Sequence, residues 1–251
     1  MTTISAAIIT LNEERNIERC IDSLKGCVDE IVVLDANSTD RTAEICRAKG
    51  VRFVQKEWMG YAAAKNFLNE QTTGDYILSI DADEALSIEL RETLSRLKSE
   101  GLDGAYSVNR ITNYCGKWIR HSGWFPDVKV RLFPRDKARW IGEIVHEELD
   151  VDKGTETVLL EGLLEHYSYY DFKQHRERAH RYSLMTARKY AEQGKKCGPL
   201  KPFFSGVARF FSMYCIQLGF LDGRMGLMIA WISAQSNVLK YRELRRLRRY
   251  D

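Results

Sequence analysis

The sequence has almost none of the devices that tie small or secreted proteins together. Its six cysteines (Cys20, Cys27, Cys46, Cys115, Cys197 and Cys215) are scattered, with no CxxC pair or metal-finger spacing. That excludes a structural zinc module. A chain of 251 residues needs no disulfide staple, so they read as reduced thiols in a cytosolic protein. There is no low-complexity tract and no internal repeat. The opening Met-Thr-Thr-Ile-Ser has no basic stretch and runs straight into a strand pattern, so no signal peptide is expected. No segment offers the roughly 18 uncharged apolar residues of a spanning helix. A Walker loop and a GxGxxG loop are both missing, which argues against a kinase or a dinucleotide enzyme.

What is present is ordinary for a globular protein: 44% apolar and 29% charged residues, enough for one large domain or a domain with an appendage. The net charge of +3 hides an asymmetry. Residues 195–251 hold eleven Lys or Arg against three acids, a balance of +8, which leaves residues 1–194 at −5. An acidic body with a basic, apolar tail suggests a soluble site attached to a segment that docks on an anionic membrane surface. No nucleic-acid partner is expected.

Strand and helix patterns alternate through the first hundred residues. Residues 4–10, 30–35, 51–54 and 76–80 read as short buried strands. Helices are expected after Asn12 (Ile17, Ile21, Leu24), over 41–49, over 61–71 and near 87–100. Such alternation signals βαβ units in a parallel sheet, a Rossmann-like α/β half. Between 104 and 167 short strand-like pieces (104–111, 128–133, 163–166) suggest an acceptor-side half in mixed sheet. A long polar helix is expected over 171–193. The tail holds two apolar runs, 203–221 and 225–239, broken by Asp222-Gly-Arg224 and closed by Arg242, Arg245, Arg246, Arg248 and Arg249. It reads as an amphipathic helical hairpin lying at a membrane interface; helices packed on the catalytic body with a solvated Arg face are the plainer alternative. The domains are expected at 1–194, with halves 1–100 and 101–194, and at 195–251.

Polar groups cluster at three strand ends: Thr10, Asn12 and Glu13; Asp35, Asn37, Ser38 and Asp40; Asp81, Asp83 and Glu84. In a parallel sheet, ligands bind at the carboxyl ends of strands. Alternate carboxylates such as Asp81-Ala-Asp83 suit a hard divalent cation that takes its other oxygens from a phosphate. A bare DxD is more often a strand end with a helix cap, and Ser38-Thr-Asp40 alone is a plain N-cap. Together the three groups match what a nucleotide diphosphate needs.

Thr10-Leu-Asn12-Glu13, Asp35-Ala-Asn-Ser38-Thr39-Asp40 and Asp81-Ala-Asp83, in that order, resemble the family 2 glycosyltransferases, whose nucleotide-sugar-binding fold is called GT-A. The likeness covers roughly residues 1–100. One departure is Ala36-Asn37, where the family often has Gly; Asn tolerates positive φ almost as well. The rest of the chain is similar to the bacterial lipopolysaccharide-core glucosyltransferases, through Trp124-Phe-Pro-Asp127, Arg131-Leu-Phe, Val145-His146-Glu147 and the segment 219–223.

The resemblance implies an inverting transfer of a hexose, with UDP-glucose the weighted donor, to a lipid-linked glycan. It implies a divalent cation, Mn2+ or Mg2+, and a peripheral place on the inner face of the cytoplasmic membrane. Thr10, Asn12, Glu13 and Asp35 would line the base and ribose pocket. Asp81 would contact ribose or metal-bound water, and Asp83 would hold the cation. Lys65 and Asn66 would reach the donor. An inverting transfer needs a carboxylate base opposite the leaving diphosphate. Glu147, in the strand-like segment 140–148, is the first choice and Asp127 the second, with acids such as Glu148 behind them. His146 is a candidate third metal ligand or a structural histidine. Arg131 and Lys129, on one strand face, are candidates for a phosphate or for a solvated face. Trp118, Trp124 and Trp140 are candidate sugar platforms or core. The competing readings are a polyprenyl-phosphate glycosyltransferase and a catalytically inert nucleotide-sugar-binding module.

Overall fold

The computed structural model describes residues 2–142 and 147–248. Cα packing divides the chain into two compact units, one of residues 1–110 and 127–167, the other of 111–126 and 168–251.

The first unit is built around a mixed sheet. β1 (Ile4–Thr10), β2 (Glu30–Asp35), β3 (Arg52–Gln55) and β4 (Tyr76–Asp81) run parallel, joined by helices α1 (Ile17–Leu24), α2 (Thr42–Ala48) and α3 (Tyr61–Gln71). After the short strand β5 (Glu84–Leu86) and helix α4 (Ile88–Glu100), the chain adds β6 (Ala105–Tyr114), and later β8 (Val128–Pro134) and β11 (Thr157–Tyr169). The short strand β7 (Lys117–Ile119) lies between β6 and β8 in sequence. The strand order is β3-β2-β1-β4-β8-β6-β11-β5, with antiparallel pairing of β8 to β4 and to β6 and of β11 to β5. Strands β9 (Ala138–Ile141) and β10 (Glu148–Val151) form a separate antiparallel ribbon.

Period-2 alternation decides which side chains go where. On β1, Ile4, Ala6 and Ile8 pack with Ile17, Ile21 and Leu24 of α1. The intervening Ala7 belongs to the opposite face, with Ala64 and Leu68 of α3 and Trp140 of β9. Both faces of the parallel strands are therefore covered, which is why they read as continuous apolar runs. Each fully buried Ile or Leu contributes about 1.5–3 kcal/mol.

The second unit holds the end of β6, β7, and helices α5 (Phe172–Glu192), α6 (Lys201–Phe211) and α7 (Gly223–Leu247). A π-helical turn, Ser212–Ile216, and a 3-10 turn, Gly219–Asp222, separate α6 from α7. Its core is Tyr114, Ile119, Met213, Ile229 and Ala230. α5 and α7 are joined at Ser183, whose Oγ lies 2.6 Å from Ser236 Oγ. Packing therefore groups residues 168–194 with the tail, so this division does not coincide with the expected boundary between 194 and 195. At the bend a Cβ on Gly226 would overlap the Gly219 carbonyl oxygen, so only glycine lets α7 start this close to the turn.

Two differences from expectation have local causes. Segment 140–148 is not one strand: β9 ends at Ile141, Gly142 takes φ 110°, and Glu148 pairs back opposite Ile141. The piece expected at 163–166 is part of the thirteen-residue β11, whose antiparallel partners include β5.

Candidate active site

Strand register brings the sequence-selected acids together. Thr10 lies opposite Asp35, and Ile9 opposite Asp81, so three neighbouring strands deliver polar groups at one edge of the sheet.

The first two groups brace one another. Asn12 and Asn37 both have positive φ, 55° and 62°, as Asn permits. The Asn12 N–H donates to Ser38 Oγ (2.8 Å), and Asn12 Oδ1 accepts from the Thr39 N–H (2.8 Å). The Glu13 N–H donates to Thr42 Oγ1 (2.8 Å), and the Glu13 carboxylate accepts from Asn16 Nδ2 (2.7 Å). Asp40 accepts from the Thr42 N–H (3.0 Å) at the start of α2, the expected capping role. Asp35 has no exposed surface; its carboxylate accepts from the Ser38 hydroxyl, the Ser38 N–H (3.0 Å) and Gln55 Nε2 (3.0 Å). The Asn12 and Asp35 side-chain oxygens thus brace the loop from within. The buried Thr10 hydroxyl has no hydrogen-bond partner among the described residues.

Two of the third group, Asp81 and Glu84, belong to an alternating chain of charges: Lys129, Asp127, Arg110, Glu84, Arg131, Asp81, Lys65, Glu147. Glu84 is its buried centre. Its carboxylate accepts from Arg131 Nη2 (2.6 Å), Arg110 Nη1 (3.1 Å) and the Asp81 N–H (3.0 Å). Arg131 Nη2 also reaches Asp81 Oδ2 (3.0 Å), and Lys65 Nζ lies 3.2 Å from Asp81 Oδ1 and 3.5 Å from Glu147 Oε1. At the other end, Arg110 donates twice to Asp127 Oδ2 (2.8 and 2.7 Å), and Lys129 Nζ lies 3.0 Å from Asp127 Oδ1. Burial by itself would raise the Asp81 carboxyl; Lys65 and Arg131 outweigh it and hold it well below the usual range. Burial and the opposing charges of Arg110 and Lys129 act on Asp127 in the same way, with a net lowering.

Residues 5–157 match the family description Glycosyl transferase family 2. The chain belongs to the family 2 glycosyltransferases. The sheet and its helical C-terminal region are accordingly a GT-A fold with a helical extension, and the protein is a glycosyltransferase. The chain is 32% identical to an uncharacterized glycosyltransferase of Rickettsia typhi, over 98% of this chain and 88% of that one. It is 31% identical to the lipopolysaccharide core biosynthesis glycosyltransferase LpsC of Rhizobium meliloti, over 95% and 94%. Among solved structures, glucosyl-3-phosphoglycerate synthase of Mycobacterium tuberculosis with Mn2+, UDP and glucosyl-3-phosphoglycerate aligns at 22% identity. That alignment covers 66% of this chain and 72% of that one, with a TM-score of 0.43.

Within this family 2 enzyme, Asp83 stands apart from the charge chain. Its Oδ2 lies 3.2 Å from His166 Nε2, because β11 pairs beside β5 and the Tyr167 N–H donates to the Asp83 carbonyl (2.8 Å). Among the described residues no three His, Cys, Asp or Glu side chains gather as a metal cage. A carboxylate and an imidazole side by side nevertheless fit a cation that completes its shell from a diphosphate. Asp81 fits that role less well, since two cations already neutralise it. His146 lies outside the described residues.

Sequence reasoning missed three participants. Glu84 was noticed only as a third acid, Arg110 as part of a strand, and His166 as a strand end. Their one signal is a polar residue inside or ending an apolar strand, with no sign of its partner. Several expected roles also change. The Asn66 side chain is spent on the Trp140 backbone, donating 2.8 Å to its carbonyl and accepting 2.9 Å from its N–H. Arg131 is buried between Glu84 and Asp81, so the face it occupies is not a solvated one. Trp140 packs against Phe133 and under Lys65, and Trp124 sits among Tyr114, Tyr169 and His175. Trp140 is a core residue, and Trp124 is partly buried against the core of the second unit.

Proposed function

We propose that this enzyme is an inverting, divalent-cation-dependent transferase that moves a hexose, with UDP-glucose the favoured donor, onto a lipid-linked glycan of the lipopolysaccharide-core type. The observation that carries the reading is the charge chain that ends at Glu147 and passes one residue from Asp83. Likeness to LpsC over nearly the whole chain supports the acceptor class, and with it a cytoplasmic enzyme working at the membrane face.

Roles follow from the partners each residue has. The unpartnered Thr10 hydroxyl and the Glu13 carboxylate are the direct contacts for the nucleoside, on a loop held by Asn12 and Asp35. Asp83 and His166 would hold the cation, which would supply charge neutralisation for the leaving diphosphate. Lys65 is buried and stacked on Trp140 at 4.3 Å from the ring centre, and it adds a fixed positive charge beside Asp81. Arg131 positions Asp81 and does not itself contact the donor.

Glu147 is the base. It withdraws the proton from the acceptor hydroxyl as that oxygen attacks the anomeric carbon, while the bond from that carbon to the diphosphate breaks on the opposite face. Among the described residues Lys65 Nζ lies 3.5 Å from the Glu147 carboxylate. Asp127 is held by Arg110 and Lys129 and kept at low basicity, which makes it a poor base and a good anchor. Glu147→Gln is expected to keep UDP-glucose binding by calorimetry and to lower transfer by about 10²–10⁴-fold. If Asp127→Asn shows that split instead, and Glu147→Gln turns over normally, the assignment of the base is wrong.

A further inference from the structure

Of the large apolar side chains exposed on the described residues, half lie between Leu200 and Trp231, about an eighth of the chain. They are not scattered. Phe203, Val207 and Phe211 recur every fourth residue and so form one stripe of α6, each more than half exposed. Pro202 and Gly206 are buried, Gly206 lying against Val238 and the Ala234 carbonyl of α7. α6 therefore uses its small residues to pack and turns its aromatic stripe outward. Past the helix, Ile216, Phe220 and Leu221 extend the exposed apolar surface through the bend, where α6 with its π turn meets α7 at 72°. No single described helix is long and apolar enough to cross a membrane.

The charges of this region are sorted as well. Lys201, Arg209 and Arg224 are exposed. Asp222 is the only acid between Gly194 and Arg242, and it is buried. Its carboxylate accepts from the N–H groups of Arg120 (3.2 Å) and His121 (3.0 Å), and its carbonyl accepts from Lys117 Nζ (2.8 Å). The segment thus shows solvent aromatic and aliphatic side chains and cations, and no carboxylate. A surface of that kind is complementary to an anionic lipid bilayer: apolar groups enter the acyl boundary while cations meet the headgroups.

We infer that α6 and the bend to α7 are the element that docks this protein on an anionic bilayer, inserting from the side and not spanning it. The Arg-rich end of α7 is auxiliary. The inference extends the membrane setting proposed above, but it stands on this surface alone.

The test is co-sedimentation of the full chain with phosphatidylglycerol–phosphatidylethanolamine vesicles, and with pure phosphatidylcholine vesicles, in about 0.1 M salt. The wild type should bind the anionic vesicles at least about tenfold more tightly than the neutral ones. Phe203→Ser/Phe211→Ser/Ile216→Ser should lose binding at least about tenfold while keeping the wild-type circular dichroism and melting temperature. Arg245→Ala/Arg246→Ala should lose less. Three results would overturn the inference: a triple variant that sediments like wild type, wild-type protein that resists carbonate extraction as a spanning segment does, or a self-associated wild type whose vesicle binding is nil and whose oligomer the triple variant dissolves. UDP-glucose calorimetry on the same proteins is a separate readout. Failure there with vesicle binding intact would count against the transferase reading and leave the docking surface standing.

Discussion

The two units sort their side chains in opposite ways. In the first, charge is inside: Glu84, Arg131 and Lys65 are buried, within a chain of eight alternating ions. In the second, large apolar groups are outside and Asp222, the one acid between Gly194 and Arg242, is inside. Burying charge is costly unless each ion has partners, so the first unit has spent stability to hold carboxylates and cations in fixed positions, as a polar substrate requires. Exposing phenylalanines has no benefit in water.

Breaking the chain at its centre should have the largest effect on folding. Glu84→Ala would leave Arg110 and Arg131 without their shared carboxylate, and chemical denaturation should show a loss of about 3–5 kcal/mol. A loss below 1 kcal/mol would mean that water or Asp81 replaces the pair and that the network is not a unit.

Acid should separate the two units. In the second, burial pushes the His175 imidazole down to about 4, with Arg178 adding to the effect, while Nδ1 sits 2.8 Å from the Tyr114 hydroxyl. An unfolded imidazole protonates near 6.5. The unfolded chain therefore binds the extra proton between the two values, and stability present above about pH 6.5 is lost as pH falls toward 4. The full difference is on the order of 3 kcal/mol. In the first unit, Asp81 and Asp127 are lowered. Their contribution is present above the ordinary carboxylate range and is lost only below about pH 4. Denaturation midpoints at pH 7 and 4.5 should fall for wild type and change less for His175→Gln; equal pH dependence in both would remove His175 as the cause.

The smallest effect is expected at the exposed stripe. Phe203→Ser, at 64% exposure, should change stability in water by no more than about 0.5 kcal/mol. A larger loss would show that the stripe packs on the protein and would erase the contrast between the units.

The amino-acid sequence by itself determined the parallel half. The apolar runs at 4–10, 30–35 and 76–80, the helix over 61–71 and the Asp40 cap depend on local periodicity and local hydrogen bonds, which a linear pattern contains. It also selected the three strand ends, because chain direction alone puts their last residues at one sheet edge. Tertiary structure decided the partners. Arg110 reaches Asp127 across 17 residues, Asp81 meets Arg131 across 50, and Asp83 meets His166 across 83; no local pattern encodes such pairs. Only those contacts put Lys65 beside Glu147, Arg110 and Lys129 on Asp127, and Arg131 between Glu84 and Asp81. The tail follows the same rule. Its apolar and basic composition was legible in the sequence, whereas which residues of α6 pack on α7 and which stay in solvent depended on the bend and on Asp222 turning inward.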